Sequence, residues 1–145
     1  MIDTERIVAN SIPINREGSH VVYWMTSARR SRWNHGLDHA IDLANEANVP
    51  LIVVESLALG HRWANDRIHT FVLQGMIDNR KLFESAPLTY IPYVETKKGQ
   101  ASGLLRSFTK GAVAMVIDDY PTYMPREVAS RAMEIGECCV IAVDS

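Results

Sequence analysis

Five apolar runs alternate with four stretches in which hydrophobic residues recur at helical spacing. The runs cover residues 21–25, 50–57, 88–94, 112–118 and 138–143. Most are nearly unbroken in Val, Ile, Ala or Leu, as at Val113-Ala114-Met115-Val116-Ile117. Strands buried on both faces of a parallel sheet read this way, because helices cover them above and below. The run at 88–94 differs, since it contains Pro92 and follows Pro87. Proline has no N–H for the ladder, so the pattern predicts an edge strand there. Residues 1–18 hold Ile7, Ile12, Pro13 and Ile14 without a sustained period and read as an arm packed on the domain.

The first helical stretch, 33–48, places Leu37, Ala40, Ile41, Ala44 and Ala47 on one stripe. Asn48-Val49-Pro50 ends it. The second, 64–84, turns Ile68, Phe71, Val72, Gly75, Met76 and Leu82 inward. The third is short, marked by Ala101, Leu104, Leu105 and Phe108, with Gly111 to terminate it. The fourth starts at Pro125, buries Val128, Ala132 and Ile135, and ends at Gly136. Strand–helix alternation implies right-handed parallel crossovers with helices on both faces. The expected fold is α/β: a three-layer Rossmann-like sandwich with a five-stranded, all-parallel sheet in the order 3-2-1-4-5.

Composition narrows the class. The chain has 145 residues, a length that suits one domain over 1–145. With 47% hydrophobic and 22% charged residues it is globular, not disordered. A formal net charge of -2 excludes a basic nucleic-acid-coating module, so any DNA contact is local or borrowed from another domain. No apolar run approaches the ~20 residues that cross a bilayer. The N-terminus, with Asp3, Glu5 and Arg6, lacks the apolar core of a signal peptide. Cys138 and Cys139 are adjacent and cannot staple a fold, and a reducing cytoplasm is the simplest reading.

Ligands of open parallel sheets bind at the switch point, beyond the carboxyl ends of the strands. The loop after the first run offers Arg29, Arg30 and Arg32, and the loop after the fourth offers Asp118, Asp119, Tyr120 and Tyr123. Together they would suit a ring system with an anionic tail, or form a solvated arginine-rich turn. No glycine-rich phosphate loop is present. Gly99-Gln100-Ala101-Ser102-Gly103 sets its serine one place late for a nucleophile elbow. His35 and His39 are four apart on one helix but have no evident third metal ligand. Cys138 and Cys139 read as core residues, and the cluster His61, Arg62, Trp63, Arg67 and His69 as a helix start with a partly buried Trp.

The stretch RIVANSIPINREGSHVVYWM resembles the start of the N-terminal α/β domain of DNA photolyases, closest to the class II type. The resemblance rests on Arg6, Asn10, Pro13, Gly18, Val22, Tyr23, Trp24 and Met25, then on Arg30 and Asn34. Trp33 stands where the family carries Asp. ANDRIHTFVLQGM is similar to the family's second-helix signature, with Arg67, Phe71, Leu73 and Gly75 in register. Asp119 and Pro125-Arg126 match further on, with Met124 in place of a basic residue.

The resemblance implies a domain that supports light-driven repair of cyclobutane pyrimidine dimers in DNA by a lyase. It assigns cofactor-binding positions to Trp24, Met25, Arg30, Asn34, Asp119 and Arg126, and no catalytic or metal residue. An antenna pigment, a deazaflavin or a folate, occupies this domain in some members. FAD and the DNA contact belong to a helical flavin domain that follows in full-length members, and on this reading that catalytic domain is expected to be absent from these 145 residues. The chain alone should therefore bind no FAD and repair no dimers. An apolar patch near Trp24, Trp33, Trp63, Tyr120 and Tyr123 would mark the missing partner's place, or be covered in a homodimer. The alternatives are a small nucleotide-binding protein similar to universal stress proteins and a ligand-free interaction domain. The former normally carries glycines after the fourth strand, where this chain reads DDYPTYMPRE.

Overall fold

The alternation of runs builds a single mixed sheet. A computed structural model describes residues 3–145, the side chain of Tyr123 excepted. A 3₁₀ turn at Thr4–Arg6 leads into β1 (Ile7–Ala9), followed by β2 (Val21–Met25), α1 (His35–Ala47), β3 (Leu51–Leu57) and α2 (Asp66–Phe83). Then come β4 (Thr89–Val94), α3 (Leu104–Thr109), β5 (Ala114–Asp119), α4 (Tyr123–Ile135) and β6 (Cys139–Asp144). The sheet order is β1-β6-β5-β2-β3-β4. The five apolar runs occupy it in the expected order, parallel throughout. Pro92 lies on the edge strand β4, where its missing N–H costs no ladder bond.

The sheet has six strands, not five, and is not all parallel. β1, drawn from the N-terminal arm, pairs antiparallel with β6 through Ile7↔Val143, Val8↔Ala142 and Ala9↔Ile141. Three residues are too few to show a period, and their pairing is with the far end of the chain. Asn10 fixes the join: its side chain donates to the Cys138 carbonyl at 3.2 Å and accepts from Val140 N–H at 3.1 Å.

Side chains of β2 alternate between two cores. Val21, Tyr23 and Met25 pack with Leu37, Ala40 and Ala44 of α1, while Val22 and Trp24 pack with Ala129 and Ala132 of α4. The Trp24 ring meets Phe108 of α3 edge-on at 6.2 Å. Asparagines start the two long helices on the first core's side: Asn34 accepts from Leu37 N–H at 2.8 Å and Asn65 from Ile68 N–H at 3.0 Å. Asn48 closes α1 in the left-handed conformation, ahead of Pro50. α4 begins at Tyr123, so Pro125 lies inside its first turn rather than opening it. Gly18 is required by contact, since a Cβ there would lie 2.3 Å from Val113 N.

The inward face of α2 differs from the expected one. Met76, Asn79 and Phe83 are buried, whereas Phe71 is 76% exposed and Leu82 54%. Apolar residues stand on several sides of this helix, so periodicity does not select a face. The choice falls to the sheet, which needs a donor from Asn79 (below).

Candidate ligand cleft at the sheet switch point

Chain direction sets the site. From β2 the chain crosses through α1 to β3 on one side, and from β5 through α4 to β6 on the other. The loops diverge and leave a cleft of about 420 Å³. Its walls are Thr26, Ser27, Ala28 and Arg30 after β2, Asp118–Tyr120, Thr122 and Pro125 after β5, and Ser145. This volume lies within the usual range for small-molecule sites, roughly 300–1,000 Å³.

The cleft floor is organised by Asp118, which is 1% exposed. One of its carboxylate oxygens accepts the consecutive N–H groups of Thr26, Ser27 and Ala28 at 2.9, 2.7 and 2.9 Å. The other accepts the Tyr23 hydroxyl at 2.6 Å. Successive amides converging on one point form an anion nest, and here the anion is the protein's own side chain. Burial, reinforced by the Asp118 charge, pushes the Tyr23 phenol far above its usual range, so it stays a donor. Asn34 ties the same loop to α1 by donating to the carbonyls of Ala28 and Arg30, each at 2.9 Å. At the start of α1 the Gly36 N–H donates to Ser145 Oγ at 3.0 Å. The amides of Thr26, Ser27, Ala28 and Gly36 are thus taken internally. The Ser27 hydroxyl, on the cleft wall, is buried and has no hydrogen-bond partner among the described residues.

Only Arg30 of the three loop arginines lines the cleft. Its Nε donates to the Trp33 carbonyl at 2.9 Å. Trp33 is 89% exposed and sits at φ 54°, a conformation that strains a bulky residue. Arg29 turns away to Glu55, a carboxylate 1% exposed on β3. Glu55 Oε1 accepts from Arg29 Nη1 at 3.1 Å, and Oε2 accepts from Asn79 Nδ2 at 2.9 Å and the Tyr90 hydroxyl at 2.6 Å. Burial and the hydrogen bond to Glu55 raise the Tyr90 phenol well above its usual range. Sequence reasoning missed this network. Its signal is Glu55 itself, an acid inside an apolar run that must find donors.

The six positions carried over from the resemblance are not brought together. Arg30 and Asp119 line the cleft. Trp24, Met25 and Asn34 are buried beneath it, Trp24 donating to Ser56 Oγ at 3.2 Å. Arg126 borders a separate shallow hollow on α4 with Arg131 and Glu134. Of the aromatics expected to form a patch, Trp24 is buried at 6% exposed, whereas Trp33, Trp63 and Tyr120 are exposed. The Tyr123 side chain lies outside the described residues.

Elsewhere, His39 is held below its usual range, mainly by burial. Among the described residues no three His, Cys, Asp or Glu side chains group as a metal site. Both cysteines are free and buried, and burial pushes the Cys138 thiol up to about 11. His61 and His69 pack edge-on at 5.9 Å, and Arg62 lies over the Trp63 ring at 5.6 Å.

No family model matches the chain. A deoxyribodipyrimidine photo-lyase of Methanothermobacter thermautotrophicus is 34% identical over 119 residues, covering 81% of this chain and 26% of that protein. One of Arabidopsis thaliana is 33% identical over 111 residues, covering 75% of this chain and 22% of its relative. By sequence the chain is a homologue of the N-terminal domain of deoxyribodipyrimidine photolyases. It spans about a quarter of the length of these photolyases. In fold it is similar to two universal stress proteins. The first, from Burkholderia pseudomallei, has a TM-score of 0.54 and 22% identity over 92% of this chain and 100% of that one. The second, from Archaeoglobus fulgidus, has a TM-score of 0.52 and 23% identity over 87% and 93%. No helix among the described residues is long and apolar enough to cross a membrane.

Proposed function

We propose that the chain is the N-terminal, supporting or antenna-binding half of a class II photolyase that repairs cyclobutane pyrimidine dimers, inactive without a helical flavin domain. One observation carries this reading: the identity to photolyases runs over 81% of this chain but only 26% of the first relative. FAD and the extruded dimer both need a dedicated pocket, and a cleft of about 420 Å³ holds neither together with the other.

The switch-point cleft is the place for an antenna pigment, a deazaflavin or a folate. The residues present fit one, because Ser27 offers a buried hydroxyl in need of a partner and Arg30 and Asp119 offer charge at the rim. Trp24, Met25 and Asn34 would act by shaping the floor, and Arg126 would lie outside the cleft. A bound pigment would supply light absorption and pass the excitation on.

The second reading, a nucleotide-binding protein similar to universal stress proteins, is favoured by the shared fold. Asp118 weighs against it. A phosphate entering the amide nest of Thr26–Ala28 would have to displace a buried carboxylate and would meet its negative charge.

The test is a chimera in which this chain replaces the matching segment of the Methanothermobacter photolyase. Under blue light the chimera should split a thymine dimer in a defined oligonucleotide, and the isolated chain should neither hold FAD nor repair. Repair by the isolated chain, or a chimera that holds FAD and leaves the dimer intact, refutes the proposal. Stabilisation of the isolated chain by ATP but by no pigment would establish the second reading instead.

A further inference from the structure

α2 carries an apolar stripe that the fold leaves uncovered. At about 100° per residue, Ile68, Phe71, Gly75 and Leu82 fall within an arc of roughly 60°, beside the buried Met76, Asn79 and Phe83. Ile68 is 38% exposed, Phe71 76% and Leu82 54%. At the centre of the stripe stands Gly75. Glycine weakens a helix interior relative to alanine, and here a Cβ would meet nothing within 4 Å. No contact inside the chain calls for a glycine at this position. A missing Cβ on an exposed apolar stripe is what close approach of another helix requires.

We infer that this stripe is a two-fold contact with a second copy of the chain, two α2 helices crossing antiparallel at Gly75. The sequence of the stripe is self-complementary about that residue. Ile68 lies seven positions before Gly75 and Leu82 seven after, so a two-fold axis at Gly75 sets Ile68 against the partner's Leu82, twice over. Phe71, one turn before Gly75, lies over the backbone beside the partner's Gly75. The charges select the same direction. Arg67 and Asp78 stand on one edge of the stripe, at opposite ends of it. Antiparallel crossing brings Arg67 to within about 7–8 Å along the axis of the partner's Asp78, inside the reach of the two side chains. A parallel two-fold crossing would carry the two charged edges to opposite flanks of the contact and form no such pair. The 3.9 Å pair between Asp78 and Lys81 is solvent-exposed on both sides and holds neither back. The inference stands on this face alone and does not rest on the photolyase reading.

Sedimentation equilibrium of the 145-residue chain from about 1 µM to 1 mM, the range a contact of modest area spans, tests it. The expected result is a reversible monomer–dimer equilibrium. Phe71→Asp should weaken it by at least about tenfold, and an unchanged circular dichroism spectrum and melting curve would show that the fold is intact. Gly75→Cys should give a disulfide-linked dimer on mild oxidation, and Ile77→Cys, on the opposite flank of α2, should not. Both native cysteines are buried and give no background. A strict monomer over the whole range overturns the inference and leaves the face to the rest of a photolyase chain. A dimer that survives Phe71→Asp, or that cross-links equally from positions 75 and 77, overturns it too.

Discussion

Asp118 and Glu55 are acids inside apolar strands, and each is met by donors drawn from distant parts of the chain. For Asp118 the donors are three backbone amides and a phenol, all within 2.9 Å. Hydrogen bonds to a charged group contribute about 1.5–3 kcal/mol each, and a buried polar group left unmet costs about 1–3 kcal/mol. Asp118→Asn keeps the shape but loses the charge, and its amide nitrogen cannot accept. Urea unfolding should show a loss of roughly 2–3 kcal/mol. The amides of Thr26, Ser27 and Ala28 should also exchange with solvent faster than in the wild type. An unchanged midpoint with unchanged exchange would remove Asp118 as the organiser of the cleft. The sequence shows the signal for both acids, a charge where the run is otherwise apolar. It does not show the donors, because amides carry no side-chain signature and Tyr90 and Asn79 lie 35 and 24 residues away from Glu55.

At the scale of elements, the turns that follow β3 and β4 are tied by one side chain. Glu95, just past β4, accepts from Ala101 N–H at 2.9 Å and from Leu59 N–H at 2.8 Å. These bonds, that to Ala101 first, hold its carboxyl below the usual carboxylate range. A depressed acid stabilises the fold above its unfolded pKa of about 4.3 and loses that contribution as pH falls through its folded value. The stability difference between the wild type and Glu95→Gln should therefore be level above about pH 5 and shrink below about pH 4. Urea midpoints across that range measure it, and two profiles that stay parallel would show that Glu95 has no such link. The α2 face teaches a related point. Its period allows several faces, and the buried acid on β3, not hydrophobicity alone, turns Asn79 inward.

For the whole molecule, the sheet margins decide solubility and stability. One edge, β4, carries Pro92, and the other parallel strand at the margin, β6, is capped by β1. Uncovered edges invite pairing with other chains. Deleting residues 1–10 would strip the β1 ladder from β6, together with the Asn10 bonds to Cys138 and Val140. At about 0.5–1.5 kcal/mol for each bond, the expected loss is roughly 2–4 kcal/mol in urea unfolding. Light scattering should rise on warming, below the wild-type transition. A deletion variant as stable and as clear as the parent would show that β1 is decoration.

The order of elements, the parallel core and the edge position of β4 were legible because each has a local cause. Unbroken apolar runs need cover on both sides, helical spacing supplies it, and proline cannot donate. Arg30 and Asp119 were legible as cleft residues because strand ends define a switch point before any coordinate is known. Tertiary structure alone decided the rest: that Ile7–Ala9 joins β6, that Arg29 serves Glu55 rather than the cleft, that Trp24 is core, and that Asp118 fills its own anion nest. Each of these is a contact between segments far apart along the chain. Period and propensity report a residue's near neighbours, whereas hydrogen-bond satisfaction in a buried site is settled only when the whole sheet has closed.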